Sequence, residues 1–298
     1  MAFVNLYTLL FAREQVQYPI TSRDTTECEN TTIVYNSLNY SCEVVVGIFT
    51  YPMVSRAIRD FQRTLIDNFD KTTRDPAKCS PSKPILVHFV AGIPSGSSNY
   101  DQEENDNNDF ILIPPAENMD NGKTYFYFGS IQTTYKKFNA KFAFKADHDT
   151  FIHFDNLYKD LEKFIKSGEL VYYGRATETK TGFMAGMLYG LSRPLIYQIM
   201  KIKKFATELS EHEDNLTSQW VDQIRKSRDV VYVNNTKDFY DHPDAGLVWS
   251  KPYEPNTIAI HQLKSWNRWN STVNYFFDGD KRDTILKKLN TVDRNLRL

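Results

Sequence analysis

Between residues 43 and 280, β-branched apolar runs alternate with one-faced helical stretches. That alternation predicts an α/β fold, a Rossmann-type, mostly parallel central sheet with helices on both faces. Composition agrees with it. Of 298 residues 41% are hydrophobic, with 20 Phe and 18 Tyr, which supplies a sizeable core and excludes a disordered chain. No apolar stretch reaches the roughly 18 residues of a membrane span. Lys and Arg (36) nearly balance Asp and Glu (37). That balance argues against a nucleic-acid binder acting through bulk phosphate neutralisation.

The elements follow in order. Residues 3–11 (F-V-N-L-Y-T-L-L-F) are apolar but too short to span a bilayer. A signal-anchor remnant, a weak signal-peptide core and a buried strand are the open readings. Residues 12–41 are polar and irregular, so 1–42 reads as a stem or truncated signal-anchor region. Residues 43–50 (E-V-V-V-G-I-F-T) form a predicted buried strand, and 54–69 a helix with one apolar face. A strand at 85–91 precedes an acidic stretch at 99–109 (N-Y-D-Q-E-E-N-D-N-N-D). It lacks the spacing and central Gly of a calcium loop and reads as a solvated surface loop. A strand at 109–113, a helix at 118–138, a strand at 141–146, a helix at 154–166 and a strand at 170–174 follow. The principal domain thus covers 43–280, and 281–298 reads as a C-terminal helical tail.

Cys28, Cys42 and Cys79 cannot all pair within one chain. A Cys28–Cys42 bridge and three unrelated thiols are both open. Five N-x-S/T sequons, at Asn30, Asn39, Asn215, Asn234 and Asn270, matter only in a secreted chain.

Four segments carry chemistry. At 144–152 (F-K-A-D-H-D-T-F-I), Asp147 and Asp149 follow an apolar strand, at the sheet edge where α/β folds bind ligands. Strand alternation points both to one side and His148 to the other. Two like charges on one side repel, and a divalent cation relieves that repulsion. At 211–217 (E-H-E-D-N-L-T), Asp214 near a helix start is either a cap or a general base. At 257–265 (T-I-A-I-H-Q-L-K-S), His261 ends a short strand. An imidazole joined to aspartates around a cation favours manganese. At 182–192 (G-F-M-A-G-M-L-Y-G-L-S), recurring glycines mean close packing or a backbone lining a sugar pocket. No dinucleotide glycine pattern or P-loop is present.

In this order the segments resemble glycosyltransferase family 31, which holds β-1,3-galactosyltransferases, β-1,3-N-acetylglucosaminyltransferases and Fringe. The residues at 144–152 are similar to the family's K-x-D-D-D-x-F-V, and 183–192 to its Y-C-S-G-G-G-Y-V-L-S. Glu213-Asp214 resembles its E-D pair, 258–264 (I-A-I-H-Q-L-K) its V-A-V-H-K-L-K, and Arg59 the second arginine of its R-x-x-I-R. The segments 117–124 and 241–249 (D-H-P-D-A-G-L-V-W) resemble plant- and fungal-type members. The resemblance implies a GT-A-like fold over 43–280 and a type II Golgi membrane protein with a lumenal catalytic domain. It implies Asp149, Asp147 and His261 as ligands of Mn2+ (or Mg2+), and Asp214 as the base. Arg56, Arg59, Lys145 and Asp147 would meet the nucleotide sugar, and Gly186, Glu213 and Met184 the acceptor or sugar pocket. His148 departs from the family's middle Asp. Met187 and Leu188 stand where it has glycines, implying a narrower, more apolar acceptor pocket.

The implied reaction moves a hexose, galactose first and N-acetylglucosamine second, from a UDP-sugar to a glycan or glycoprotein hydroxyl with inversion, forming a β-1,3 linkage. A cation offsets the charge that develops on the diphosphate, and one carboxylate takes the acceptor proton. The competing readings are a catalytically silent glycan- or nucleotide-sugar-binding relative and a phosphoryl-transfer enzyme. The second lacks a phosphate-cradling glycine loop.

Overall fold

The computed structural model describes residues 5–11, 14–20, 42–51, 54, 56–92, 107–113, 122–134, 140–177, 183–207, 209 and 212–292. Its central sheet is the predicted α/β sheet. Strands β3 (Val44–Phe49), β5 (Ile85–Gly92), β6 (Phe110–Ile113), β7 (Phe142–Asp147), β9 (Val171–Ala176), β10 (Met184–Ser192) and β11 (Val231–Asn234) belong to it, with the two-residue β4 (Thr72–Thr73). The order is β11-β9-β10-β7-β3-β5, and both β4 and β6 pair with β5. Every pairing is parallel except those of β10, which runs antiparallel between β7 and β9. The apolar runs at 43–50, 85–91, 109–113, 141–146 and 170–174 correspond to β3, β5, β6, β7 and β9, whereas the short parallel strands β4 and β11 gave no such run and the glycine-rich stretch at 182–192 hid antiparallel β10. Helix α1 (Arg56–Asp67) connects β3 to β4.

Both faces of the sheet are covered, so the central strands read as continuous apolar runs. Val44, Val46 and Ile48 of β3 face one core. Helices α1, α3 (Phe154–Ile165), α6 (Trp266–Phe276) and α7 (Gly279–Leu289) close it. Val45 and Phe49 face the other, closed by α2 (Lys123–Thr134), α4 (Arg193–Met200) and α5 (Glu213–Arg225). Ile285 and Leu289 are buried against the first core. The segment expected as a tail therefore begins as a packed helix.

A second sheet of three short strands sits at the carboxyl edge: β12 (Phe239–Asp241), β13 (Ala259–His261) and β8 (Phe151–Ile152). Strands β1 (Asn5–Phe11) and β2 (Glu14–Ile20) form an antiparallel hairpin. Of the stem expected over 12–41, residues 14–20 are strand, where Val16, Tyr18 and Ile20 alternate at strand period, and 12–13 and 21–41 lie outside the described residues.

Three further expectations change. Cys42 bridges to Cys79, Cα to Cα 5.0 Å, and not to Cys28, which lies outside the described residues. The reason is topological: Cys42 leads into β3, Cys79 leads into β5, and those strands are neighbours. Asp109 is fully buried and not part of a solvated loop. It takes two hydrogen bonds from Arg63 (2.8 and 2.9 Å) and one from Arg74 (2.6 Å). These pairings hold its carboxyl below the usual range against the upward push of burial. The sequons at Asn215 and Asn270 lie in helices, and their Thr217 and Thr272 hydroxyls are buried and hydrogen-bonded.

Candidate functional site

The site grows from the end of β7. That strand stops at Asp147, and His148 and Asp149 form a turn before β8. The two carboxylates do share a side, but a turn and not strand alternation puts them there. Strand β13 pairs antiparallel with β8, Ile260 opposite Phe151, so His261 arrives beside the turn. The backbone N–H of Leu263 then donates to the Asp149 carbonyl at 3.0 Å. The His261 Nε2 atom lies 3.5 Å from Asp149 Oδ1 and 3.9 Å from Asp147 Oδ2. One ligand atom from each of the three side chains falls within 4.8 Å of the others.

The far side of the imidazole is also fixed. Asp241 ends β12, which runs parallel to β13 with Asp241 paired to His261. His261 Nδ1 donates to Asp241 Oδ1 at 3.0 Å, leaving Nε2 aimed at the aspartate pair. Three carboxylates thus surround one imidazole. Burial lowers the affinity of His261 for a proton, but the contacts with Asp149 and Asp241 outweigh it and raise its pKa to about 9. Burial likewise pushes Asp149 up, and His261 overrides it, holding that carboxyl at about 2. Two hard oxygens and one imidazole nitrogen converging on one point fit a divalent cation of the manganese class. The carboxylate behind the histidine is a usual orienting partner of a metal-ligating imidazole.

On the other flank stands Lys145, whose side chain is 5% exposed. Its Nζ donates to Asp147 Oδ1 (2.6 Å), to the Gly186 carbonyl (3.1 Å) and to Asp214 Oδ1 (3.4 Å). Burial lowers the pKa of this ammonium, and the charges of Asp147 and Asp214 more than restore it. Lys145 therefore ties the strand that ends in Asp147 to the first turn of α5, where Glu213 and Asp214 sit. Burial raises the pKa of both acids, Glu213 to about 7. Gly186 makes the convergence possible. A Cβ there would lie 2.4 Å from Asp214 Oδ2, 3.0 Å from Lys145 Nζ and 3.1 Å from Asp147 Oδ2.

The remaining expected site residues are distributed differently. Arg56 and Arg59 lie in the first turns of α1, which leaves the same sheet edge as Asp147. The buried Arg59 donates to the Val54 carbonyl at 2.5 Å, and Arg56 is half-exposed with Asp60 at 3.9 Å. Met184 is fully buried in the second core and presents no surface to an acceptor. Met187 and Leu188 are buried in the first core, Leu188 opposite Ala146 of β7, so they do not narrow a pocket. Gly190 is a packing glycine, where a Cβ would strike the Phe144 ring at 2.4 Å, and Gly182 lies outside the described residues. The His148 ring packs edge-on against Tyr51, and its carbonyl accepts from Gln62 Nε2 at 2.6 Å, locking the turn to α1.

Two residues had gone without a role. Asp241 ends the short run F-Y-D, the same strand-then-acid pattern as F-K-A-D, and that pattern was the available signal. Gln62 carried none, because its partner is a backbone carbonyl 86 residues away.

No sequence-family profile matches the chain, and no curated protein does. Among solved structures it is similar to a glycosyltransferase involved in glycosylation of the major capsid of PBCV-1. Identity is 7%, the TM-score is 0.43, and the match covers 84% of this chain and 99% of that one. It is also similar to the glycosyltransferase GlyE of Streptococcus pneumoniae TIGR4 (13% identity, TM-score 0.41, 84% of this chain and 60% of that one). A third is mouse xyloside xylosyltransferase 1 (9% identity, TM-score 0.40, 75% and 97%). At these scores the likenesses identify no relative, and the function has to be argued from the site.

Proposed function

We propose that this chain is a metal-dependent, inverting glycosyltransferase of the family 31 type. It transfers a hexose, galactose before N-acetylglucosamine, from a UDP-sugar to a glycan or glycoprotein hydroxyl, with a β-1,3 linkage as product. The observation that carries the reading is the convergence of Asp147, Asp149 and His261 opposite a separate carboxylate, Asp214, across Gly186. Asp147, Asp149 and His261 would hold the cation, which when bound offsets negative charge on the departing diphosphate. Asp241 keeps the imidazole oriented toward the aspartates. Asp214 accepts the proton of the acceptor hydroxyl as the new C1–O bond forms and the C1–O bond to the diphosphate breaks, releasing UDP. Lys145 holds Asp214 and Asp147 in register and favours the ionised form of Asp214 against the upward push of burial. One base on the face opposite the leaving group suits a single displacement with inversion, the logic of inverting glycosidases.

The Cys42–Cys79 bridge supports an oxidising, lumenal compartment, and the Golgi lumen is the one this reading assigns. Among the described residues no helix is long and apolar enough to cross a membrane. Membrane association, as this reading has it, runs through an N-terminal anchor region.

The test is a screen of UDP-galactose, UDP-N-acetylglucosamine and UDP-glucose with simple sugar acceptors and manganese. Turnover with UDP-galactose is expected, lost in Asp149→Ala. Asp214→Asn is expected to bind UDP normally but not to transfer. Tight UDP binding without hydrolysis or transfer from any donor would favour a silent binding relative instead.

A further inference from the structure

The chain leaves β13 through an unusual corner. Gln262, directly after His261, has φ +64°, a left-handed conformation that side chains other than glycine seldom adopt. Its carbonyl is pinned by Arg268 Nη1 at 2.7 Å, and the next N–H, of Leu263, is pinned by the Asp149 carbonyl. A backbone held this firmly in a sparsely populated region points to a functional constraint. The corner reverses the chain, so that Lys264 comes back to the same aspartate that His261 faces. Lys264 Nζ lies 3.8 Å from Asp149 Oδ2.

That contact is too long for a hydrogen bond, and the lysine side chain is 51% exposed. An exposed pairing of this kind contributes little by itself. It becomes unfavourable once a divalent cation takes up the charge of Asp149, because an ammonium beside that cation is repelled. An anion that meets both cationic centres removes the repulsion. Lys145 does not fill this role, since it is buried and already donates to Asp147, Gly186 and Asp214.

Resting on the function proposed above, we infer that Lys264 is a diphosphate-binding residue, set at the exposed side of Asp149 by the left-handed corner at Gln262. The group it receives is the diphosphate of a nucleotide, not the base or the sugar. Charge-assisted hydrogen bonds from an ammonium to phosphate oxygens are among the stronger polar contacts, so the loss is measurable.

The experiment is calorimetric titration of the full chain with UDP, and separately with uridine, at saturating manganese chloride. Lys264→Ala is expected to weaken UDP about tenfold. Uridine affinity and the melting temperature should not change, manganese affinity should not fall, and Lys264→Arg should recover most of the UDP affinity. UDP binding within about twofold of the parent in Lys264→Ala, or equal weakening of UDP and uridine, overturns the inference. A parent protein that binds no UDP in manganese removes the functional reading on which it rests, an outcome separate from the first because it appears before any substitution is made.

Discussion

Replacing Gly186 with alanine separates the chemistry of the site from its stability. The added Cβ would lie 2.4 Å from Asp214 Oδ2, and ordinary contact begins at 3.4 Å. One of the two must therefore give by about 1 Å. The mobile partner is the carboxylate end of Asp214, so the strand stays in place and the fold keeps its stability. A displacement of that size in a positioned group costs on the order of 100-fold in turnover. Gly190→Ala in the same strand is the control. There the Cβ meets the buried Phe144 ring at 2.4 Å, which has no solvent side to retreat to. Overpacking of that kind costs about 1–3 kcal/mol of stability. Donor-sugar transfer and urea melts of the two variants are measured side by side. Gly186→Ala is expected to melt like the parent and to transfer about 100-fold more slowly. Gly190→Ala should melt earlier and transfer normally once folded. Parent-like transfer by Gly186→Ala, within about threefold, would show that Asp214 is not the positioned base.

Asp241→Asn should weaken manganese binding about 10- to 100-fold, and should weaken it no further when added to His261→Ala, read by calorimetry. Asp109→Ala leaves the Arg63 guanidinium buried without its carboxylate and should cost about 3–5 kcal/mol in urea unfolding. Reduction of the Cys42–Cys79 bridge, which spans a sequence separation of 37, should lower stability by about 4 kcal/mol on the loop-entropy estimate, measured with and without reductant. His88 is fully buried, and burial lowers its pKa from 6.5 to about 4. Below pH 6.5 the unfolded chain takes up this proton before the folded one, so stability falls as pH drops from 6.5 to 4, by at most about 3 kcal/mol. Urea melts across that range should show the slope in the parent and not in His88→Gln.

Much of the sheet was legible because it is built from strong local periods. V-V-V-G-I-F has no other good use than a doubly buried strand, and α1 and α3 carry apolar stripes at helical spacing. The strand β10 was not legible, because Gly186 and Gly190 interrupt its apolar pattern for reasons that lie in other elements, Asp214 and Phe144. The aspartate pair and His261 were recognisable as strand-end chemistry. Their meeting was not, since it depends on β13 pairing with β8 across more than 100 residues. Asp109 misled for a related reason. The residues before it in sequence are polar, while its partners, Arg63 and Arg74, come from α1 and the segment after β4. The Cys42–Cys79 pairing follows from strand neighbours, which cysteine spacing does not encode.

In the proposed mechanism two aspartates and a histidine from different sheets hold one divalent ion. Anomalous diffraction at the manganese edge, from crystals grown with manganese and UDP, tests it directly. A single strong peak is expected within about 2.3 Å of a carboxylate oxygen of Asp147, of one of Asp149 and of His261 Nε2. A peak bound elsewhere, or a fully ordered His261 and Asp149 with UDP bound and no manganese between them, would contradict it.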